Sequence, residues 1–563
     1  MAEASLAELA VLIVDCQTTG ATPAQGAVLE LGWCVVCVAD ESRSVAPEAH
    51  WVAPPVGERI SAQVRQLTGF HEGVLESALA PEDAWQRLRA AVGLAPTTPA
   101  AIHYARFELA FLREWSARFE SGSAFPFDAV CVHAIACRLF PDLPRRNLRA
   151  LAGFLGHGLH LERRSLGHVQ ATAFIWRKLV AELAARGVTT WSELSGWLAG
   201  KERPAAPRKR RYPLAPQTYR ALPDRPGVYQ FLRSNGDVLY VGKAASLKKR
   251  VASHFTKQRG ATERALEMLT QVADVAFTVT SSALEAALLE TQSIKLLGPP
   301  YNVQLVQGTR GVWFGAPDFA EAASEPSDVH RLGPLPSRFS LRALGALSRL
   351  LDGEAPTPSL RAASVGAPSR FAPDEASFSA GWRLFAERHL SPSPAPMASR
   401  RLARVLGQRA LARSLVAEPA AASADEAQEE VEAWDGPRVC RHLERAIAQA
   451  YQVLRRASWL CLLASSALAF REPSSTSRRF LVVEGADIRE SELVGGAPPM
   501  AQEPAARARF ETQRRFDAAR YDSLRILTTE LKRVLRDGGE VKIWLARGHA
   551  FEGERLARLL RWV

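Results

Sequence analysis

The hydrophobic positions of this 563-residue chain change period several times. Near the N-terminus they form strand-like runs, ELAVLIVDC (8–16) and GAVLELGWCVVCVAD (26–40), separated by a Thr-Pro turn. Helical spacings of three and four follow in PEDAWQRLRAAVGL (81–94) and ARFELAFLREWSARF (105–119). A strand start at AIHY (101–104) and further helices to about residue 200 complete an α/β pattern. From 226 the period returns to two in GVYQFLRSNGDVLYVGK, where Asn235-Gly236 between alternating strands signals a hairpin. Helices are predicted at AASLKKRVASHF and about 261–272, then a strand at DVAFTVT and a helix at SALEAALLETQSIKLL that stops at GPPYN.

Residues 305–435 are rich in Ala, Pro, Ser and Arg and read as partly flexible. Beyond them the pattern predicts a helix at RHLERAIAQAYQVLRRA and a strand pair at SWLCLLASSALAF and RRFLVVEGADI. It then predicts a helix over 504–536, the strand EVKIWLA and a closing helix EGERLARLLRW. The domains expected are 1–200, a basic Pro-rich linker at 201–220, a small α/β unit at 221–305, the linker-rich region 306–435, and an α+β domain at 436–563. The fold class is therefore multidomain α/β.

Charge sharpens this picture. Residues 201–260 hold 15 Lys or Arg against 3 Asp or Glu, so the net +12 of the whole chain is concentrated there and the remainder sums to zero. Such a local excess is the footprint of a polyanion-binding surface. The seven cysteines are scattered, and Cys34 and Cys37 form a CxxC without a second pair, which argues for buried free thiols rather than a zinc site. The longest uncharged apolar run, Ala457 to Phe470, has 14 residues, so no membrane association is expected. With no basic n-region ahead of the first apolar run, the expected location is cytoplasmic and nucleoid-associated.

Two constellations carry chemistry. The first is Asp15-Cys16-Gln17-Thr18-Thr19-Gly20, followed by His103-Tyr104-Ala105-Arg106-Phe107-Glu108 and by Arg163 to His168 ahead of an alanine-containing helix. Over about residues 8–185 this resembles the DEDDh family of 3′–5′ exonucleases, such as the proofreading subunit of bacterial DNA polymerase III. The resemblance implies an RNase H-like exonuclease fold. The family's pattern has Glu where Gln17 stands, a histidine base where Arg163 stands and an aspartate where His168 stands. Asp15 and Glu108 alone remain as carboxylates, too little charge for two hard cations. A degenerate site that binds DNA without cutting is expected.

The second constellation is Gly227-Val228-Tyr229, Tyr240-Val241-Gly242-Lys243, Leu247 to Val251, a helix carrying Glu290, and Pro300-Tyr301-Asn302. Over about residues 221–305 it resembles the GIY-YIG nuclease family, in the form found in UvrC and Cho. The resemblance implies Tyr240 as general base supported by Tyr229, Lys243 tuning the phenol, Arg250 on the scissile phosphate, and Asn302 positioning the site. It implies one Mg²⁺ or Mn²⁺ held by Glu290. His254 stands where the UvrC pattern usually has a tyrosine, and its role is open. Lys248, Lys249, Lys257 and Arg259 are candidate DNA contacts. Taken singly, the tyrosines also suit cross-strand packing and the cations a solvated helix face.

The expected function is a bacterial DNA-repair endonuclease, structure- or damage-specific, that hydrolyses phosphodiester bonds at the second constellation. A noncatalytic DNA-binding scaffold and a residual 3′–5′ exonuclease stay open. DNA is the expected partner, and a UvrB-like repair helicase is left open as another. Asp517, Asp522 and Glu530 read as a charged solvent face, and His549 with Glu552 and Glu554 as an equally weak cluster.

Overall fold

The apolar run at residues 11–14 is buried on both faces because β1 (Val11–Thr18) runs through the middle of a sheet. Successive side chains point to opposite faces. Val11 and Ile13 join the core built around Val169, Ile175 and Trp176, whereas Leu12 and Val14 join the one around Trp85, Phe111 and Trp115. The other strands are β2 (Val28–Val36), β3 (Val45–Trp51), β4 (Thr98–Ile102) and β5 (Phe127–Cys131), in the order β3-β2-β1-β4-β5. β1 to β3 pair antiparallel, and β4 and β5 continue parallel to β1. This three-antiparallel, two-parallel order is the RNase H-like architecture. Helices α1 to α7 accompany it, at Ala62–Thr68, Pro81–Val92, Ala105–Phe119, Val132–Leu139, Leu148–Phe154, Ser165–Ala184 and Trp191–Ala199.

This computed structural model describes residues 3–58, 60–93, 97–158, 164–200, 211–256, 261–302, 311–390, 397–416, 433–473, 478–491, 513–545, 549–561 and 563. The chain divides into two units, Met1–Ser281 with Pro299–Val303, and Ser282–Gly298 with Gln304–Val563. Among the described residues no helix is long and apolar enough to cross a membrane.

The first unit continues with α8 (Pro216–Arg220), β6 (Gly227–Leu232), β7 (Val238–Ala244), α9 (Leu247–Thr256), α10 (Glu263–Gln271) and β8 (Asp274–Val279). The strands form an antiparallel sheet in the order β7-β6-β8. This small sheet does not hang free on a linker, since α10 packs against α5. Asn147 Nδ2 donates to Glu267 Oε2 at 2.7 Å, and the Arg145 amide donates to Thr270 Oγ1 at 3.2 Å. The buried Arg233 guanidinium donates to Gln271 Oε1 at 2.9 and 3.1 Å. A Cβ at Gly153 would lie 2.0 Å from that same Oε1 and would displace the Gln271 side chain from the seam.

In the second unit, α11 (Ala283–Leu297) contributes Leu284 to a core with the helix Ala518–Arg536. Three short strands, β9 (Trp313–Gly315), β10 (Ala322–Ala323) and β11 (Leu332–Leu335), come next. The region expected to be partly flexible instead holds α12 (Arg342–Leu351), α13 (Pro358–Val365), α14 (Glu375–His389) and α15 (Ser399–Val416). These bury Leu344, Leu347, Phe378, Phe385 and Leu406 against α16 (Gly436–Leu463). The Ala-, Ser- and Pro-rich composition concealed them, although Pro358 opens α13 at a first-turn position, where a missing N–H costs nothing. SWLCLLA, expected in a strand, ends α16, and only Ser465–Arg471 is extended, as β12. With β13 (Arg479–Glu484), β14 (Asp487–Ser491), β15 (Glu540–Leu545) and β16 (Ala550–Glu552) it forms a sheet in the order β14-β13-β12-β15-β16. Asp522 and Glu530 are not on a solvent face. Both are buried, paired with Lys295 at 2.9 Å and Arg533 at 2.6 Å, and Asp517 caps its helix.

Trp176 is fully buried, and its indole N–H has no acceptor among the described residues. Trp176→Ala should cost about 3–5 kcal/mol by emptying the core. Trp176→Phe should cost much less, since the donor it removes is unpaired. Urea unfolding followed by circular dichroism separates the two; equal losses would contradict this packing.

Candidate active site

The β6–β7 hairpin sets the site. Its turn uses Gly236 at φ 89° after Asn235, whose Oδ1 accepts the Asp237 amide at 3.1 Å. The resulting register places Tyr229 opposite Gly242, Phe231 opposite Tyr240 and Val228 opposite Lys243. The glycines of the two tripeptides have separate reasons. A Cβ at Gly227 would meet the Thr278 carbonyl at 2.3 Å, and one at Gly242 would meet Tyr229 Cζ and Oη at 2.6 Å. Gly242 is thus the floor on which the Tyr229 ring lies.

Tyr229 is fully buried, and its Oη lies 2.8 Å from His254 Nε2 on α9. Tyr240 completes a ring cluster, with centroids 6.1 Å from Tyr229 and 6.2 Å from His254. Burial, and then the Arg250 charge, lower the His254 pKa to about 4, so the imidazole is neutral at pH 7. A neutral imidazole with its proton on Nδ1 accepts the phenol proton at Nε2. The position whose role was open in the sequence is therefore the hydrogen-bond partner of Tyr229.

Asn302 grips β7 with both ends of its amide. The Val241 N–H donates to its Oδ1 at 2.9 Å, and its Nδ2 donates to the Val241 carbonyl at 2.9 Å. Val241 lies between Tyr240 and Gly242, so this clamp holds both neighbours. The adjacent Tyr301 Oη donates to Glu267 Oε1 at 2.6 Å and accepts from Gln271 Nε2 at 2.7 Å. Burial first, then the Glu267 charge, push the Tyr301 phenol up, so it stays protonated as a donor. Glu267 meanwhile receives Asn147 on its other oxygen. Sequence reading missed Glu267, Gln271 and Asn147, because nothing local marks partners 120 residues apart.

Lys243, Lys248, Lys249 and Arg250 are exposed, with Lys249 Nζ 3.5 Å from Asp224. Lys257 and Arg259 lie outside the described residues. Glu290 is half-buried on α11, which packs within the second unit, where Lys295 Nζ donates to the Ala518 carbonyl at 3.0 Å.

Residues 225–303 match the family model of the UvrC-like GIY-YIG domain. This segment is a UvrC-like GIY-YIG domain. It is similar to the UvrABC system protein C of Alkalilimnicola ehrlichii, 52% identical over 94 residues, 16% of this chain and 15% of that protein. A Mycobacterium tuberculosis protein that carries the name bifunctional exonuclease/endonuclease is 29% identical over 377 residues, 61% of this chain and 53% of its own length. The chain thus spans about half of that relative and a small part of the UvrABC protein. Among solved structures, the GIY-YIG N-terminal endonuclease domain of UvrC from Thermotoga maritima, bound to magnesium, shares 32% identity. The match covers 16% of this chain and 93% of that one, with a TM-score of 0.14.

Ahead of the GIY-YIG domain, the exonuclease-like part has a cleft of about 1020 Å³ lined by Asp15, Gln17, His103, Glu108, Arg149 and His168, among others. Asp15, Gln17 and His168 satisfy one another. His168 Nδ1 is 3.2 Å from Asp15 Oδ1, and Gln17 Nε2 is 3.4 Å from both His168 Nδ1 and Asp15 Oδ2. Burial opposes a charge on His168, but the Asp15 hydrogen bond and charge outweigh it and raise its pKa. Glu108 is buried and accepts the Cys16 N–H at 3.0 Å; burial, then the Asp15 charge, push its pKa well up. One carboxylate is thereby paired with an imidazole and the other favoured as the neutral acid. Among the described residues, this donor set does not fit the pair of divalent cations that an exonuclease of this fold implies. No group of three or more His, Cys, Asp or Glu suited to a metal occurs among the described residues. Arg163 lies outside them. His103, which opens the second exonuclease-like motif, lines the cleft with neither ring nitrogen partnered among the described residues, its pKa lowered to about 3 by burial and then by His133.

Asn302→Ala removes two part-buried side-chain-to-backbone hydrogen bonds and should destabilise the GIY-YIG domain by about 1–3 kcal/mol, read as a fall in urea midpoint at constant slope. Acid has a defined effect through His254. With a folded pKa of about 4 against 6.5 for the free group, its contribution to stability is complete above pH 6.5 and is lost as pH falls toward 4. His254→Asn should flatten the stability–pH curve in that window. An equally steep curve in the variant would assign the acid sensitivity elsewhere.

Proposed function

We propose that the chain is a bacterial DNA-repair endonuclease, structure- or damage-specific, that hydrolyses phosphodiester bonds at the GIY-YIG site. The observation that carries this reading is the Tyr229–His254–Tyr240 cluster held by the Asn302 clamp, because it fixes two phenols beside a neutral imidazole in a strongly basic stretch. Tyr240, the less buried phenol, is the general base for the attacking water. Tyr229 is oriented by His254 and supports Tyr240 across the hairpin. Lys243 favours the phenolate by its charge, and Arg250 binds the scissile phosphate. Asn302 keeps Tyr240 in register.

Glu290 is the residue proposed to hold one Mg²⁺ or Mn²⁺. A single carboxylate suits Mg²⁺, which keeps much of its water and takes substrate phosphate oxygens as further ligands. When bound, the cation supplies charge stabilisation at the leaving oxygen.

The exonuclease-like part is proposed to be noncatalytic, a reading supported by its self-paired Asp15, Gln17 and His168. Through α5 it supports α10, and through Glu267 the Tyr301–Asn302 segment, while its cleft faces DNA. A UvrB-like repair helicase is a proposed partner, and a nucleoid-associated location follows from DNA binding.

A labelled panel of nicked, flapped and damaged DNA with Mg²⁺ or Mn²⁺ tests this. Tyr240→Phe and Glu290→Ala should each lower cutting by about 10²-fold or more, EDTA should abolish it, and Asp15→Ala should leave it in place. Cutting that survives Tyr240→Phe but not Asp15→Ala would move the chemistry to the exonuclease-like cleft. Binding with no cutting of any substrate would make the chain a scaffold.

A further inference from the structure

Outside residues 201–260 the formal charge sums to zero, yet within the second unit arginines gather on one helix pair. α15 carries five arginines and no acid in 18 residues. Between it and α16 lies a groove of about 500 Å³ whose polar lining is Arg413, Arg441, Arg445, Glu444, Gln449 and Gln452, with Ser414 at its edge. Its floor is the buried cluster Ala410, Leu411 and Ala448. Small residues bring the two helices together: a Cβ at Gly407 would lie 2.8 Å from Tyr451 Cβ.

The one acid in the lining is already engaged. Glu444 Oε1 is 3.0 Å from Arg388 and 2.7 Å from His389 Nε2, both on α14. Arg413 and Arg441 are exposed, and none of the lining residues is an exposed large hydrophobic. Protein interfaces centre on a buried aromatic or aliphatic anchor among their arginines, and this groove offers its arginines without one. Planar guanidinium forks with amide donors beside them suit phosphodiester oxygens, which they bind bidentately without regard to sequence.

We infer that the α15–α16 groove binds the sugar-phosphate backbone of DNA, as a contact separate from the basic stretch at 201–260. The choice of DNA rests on the proposed nuclease function. Binding measured in EDTA, where no cleavage is expected, keeps a failure of the groove distinct from a failure of the chemistry.

The test is fluorescence anisotropy of a labelled duplex with the full chain across a KCl series. Each neutralised phosphate contributes about 0.9 to the slope of log K against log salt. The double variant Arg413→Gln/Arg441→Gln should therefore lower the magnitude of that slope by about two, at an unchanged melting temperature, while Arg413→Lys/Arg441→Lys should retain most of it. An unchanged slope in the glutamine variant overturns the inference. So does an unchanged slope joined to loss of poly-glutamate binding, which would assign the groove to an acidic protein partner.

Discussion

Tyr229 can lie flat on the hairpin only because position 242 has no side chain, and the rest of the GIY-YIG site is arranged around that contact. The ring occupies space that a Cβ at Gly242 would enter at 2.6 Å. Held there, its hydroxyl reaches His254 on α9, and burial keeps that imidazole neutral and able to accept. Tyr240, on the strand that bears Gly242, is brought to the same cluster by the hairpin register. A hairpin slipped by one residue would turn every one of these groups to the opposite face. The Asn302 amide, gripping Val241 at both polar atoms, opposes that slip.

The same clamp connects the two parts of the first unit. Asn302 follows Tyr301, Tyr301 donates to Glu267, and Glu267 receives Asn147 from the edge of the exonuclease-like cleft. The exonuclease-like fold therefore has a physical task of its own, because α5 is the surface against which α10 is packed. In its own cleft Asp15 is paired to His168 and Glu108 is buried on the Cys16 amide.

Much of this was legible in the sequence where the signal is local. The Asn-Gly turn, the period-two strands and the helix ending at Gly298 predict the hairpin and α11. In the N-terminal sheet, apolar runs mark β1 and β2 and AIHY marks the end of β4, and the exonuclease resemblance implies the RNase H-like fold. What escaped was non-local or compositionally masked. Glu267 and Asn147 sit on ordinary helix positions and acquire meaning only when α5 meets α10. The helices α12 to α15 are written in Ala, Ser, Pro and Arg, and their stripes of Leu and Phe become evident only against α16. The neutral state of His254 likewise depends on burial, which no residue next to it encodes.

The central claim is that DNA is cut internally at the Tyr240 site and not shortened from an end. Covalently closed circular DNA, with and without lesions, tests this most directly, because it offers no 3′ terminus. Incubated with the full chain and Mg²⁺ or Mn²⁺, lesion-bearing circles should be converted to nicked circles. Intact circles together with stepwise shortening of a linear strand from its 3′ end would contradict the account.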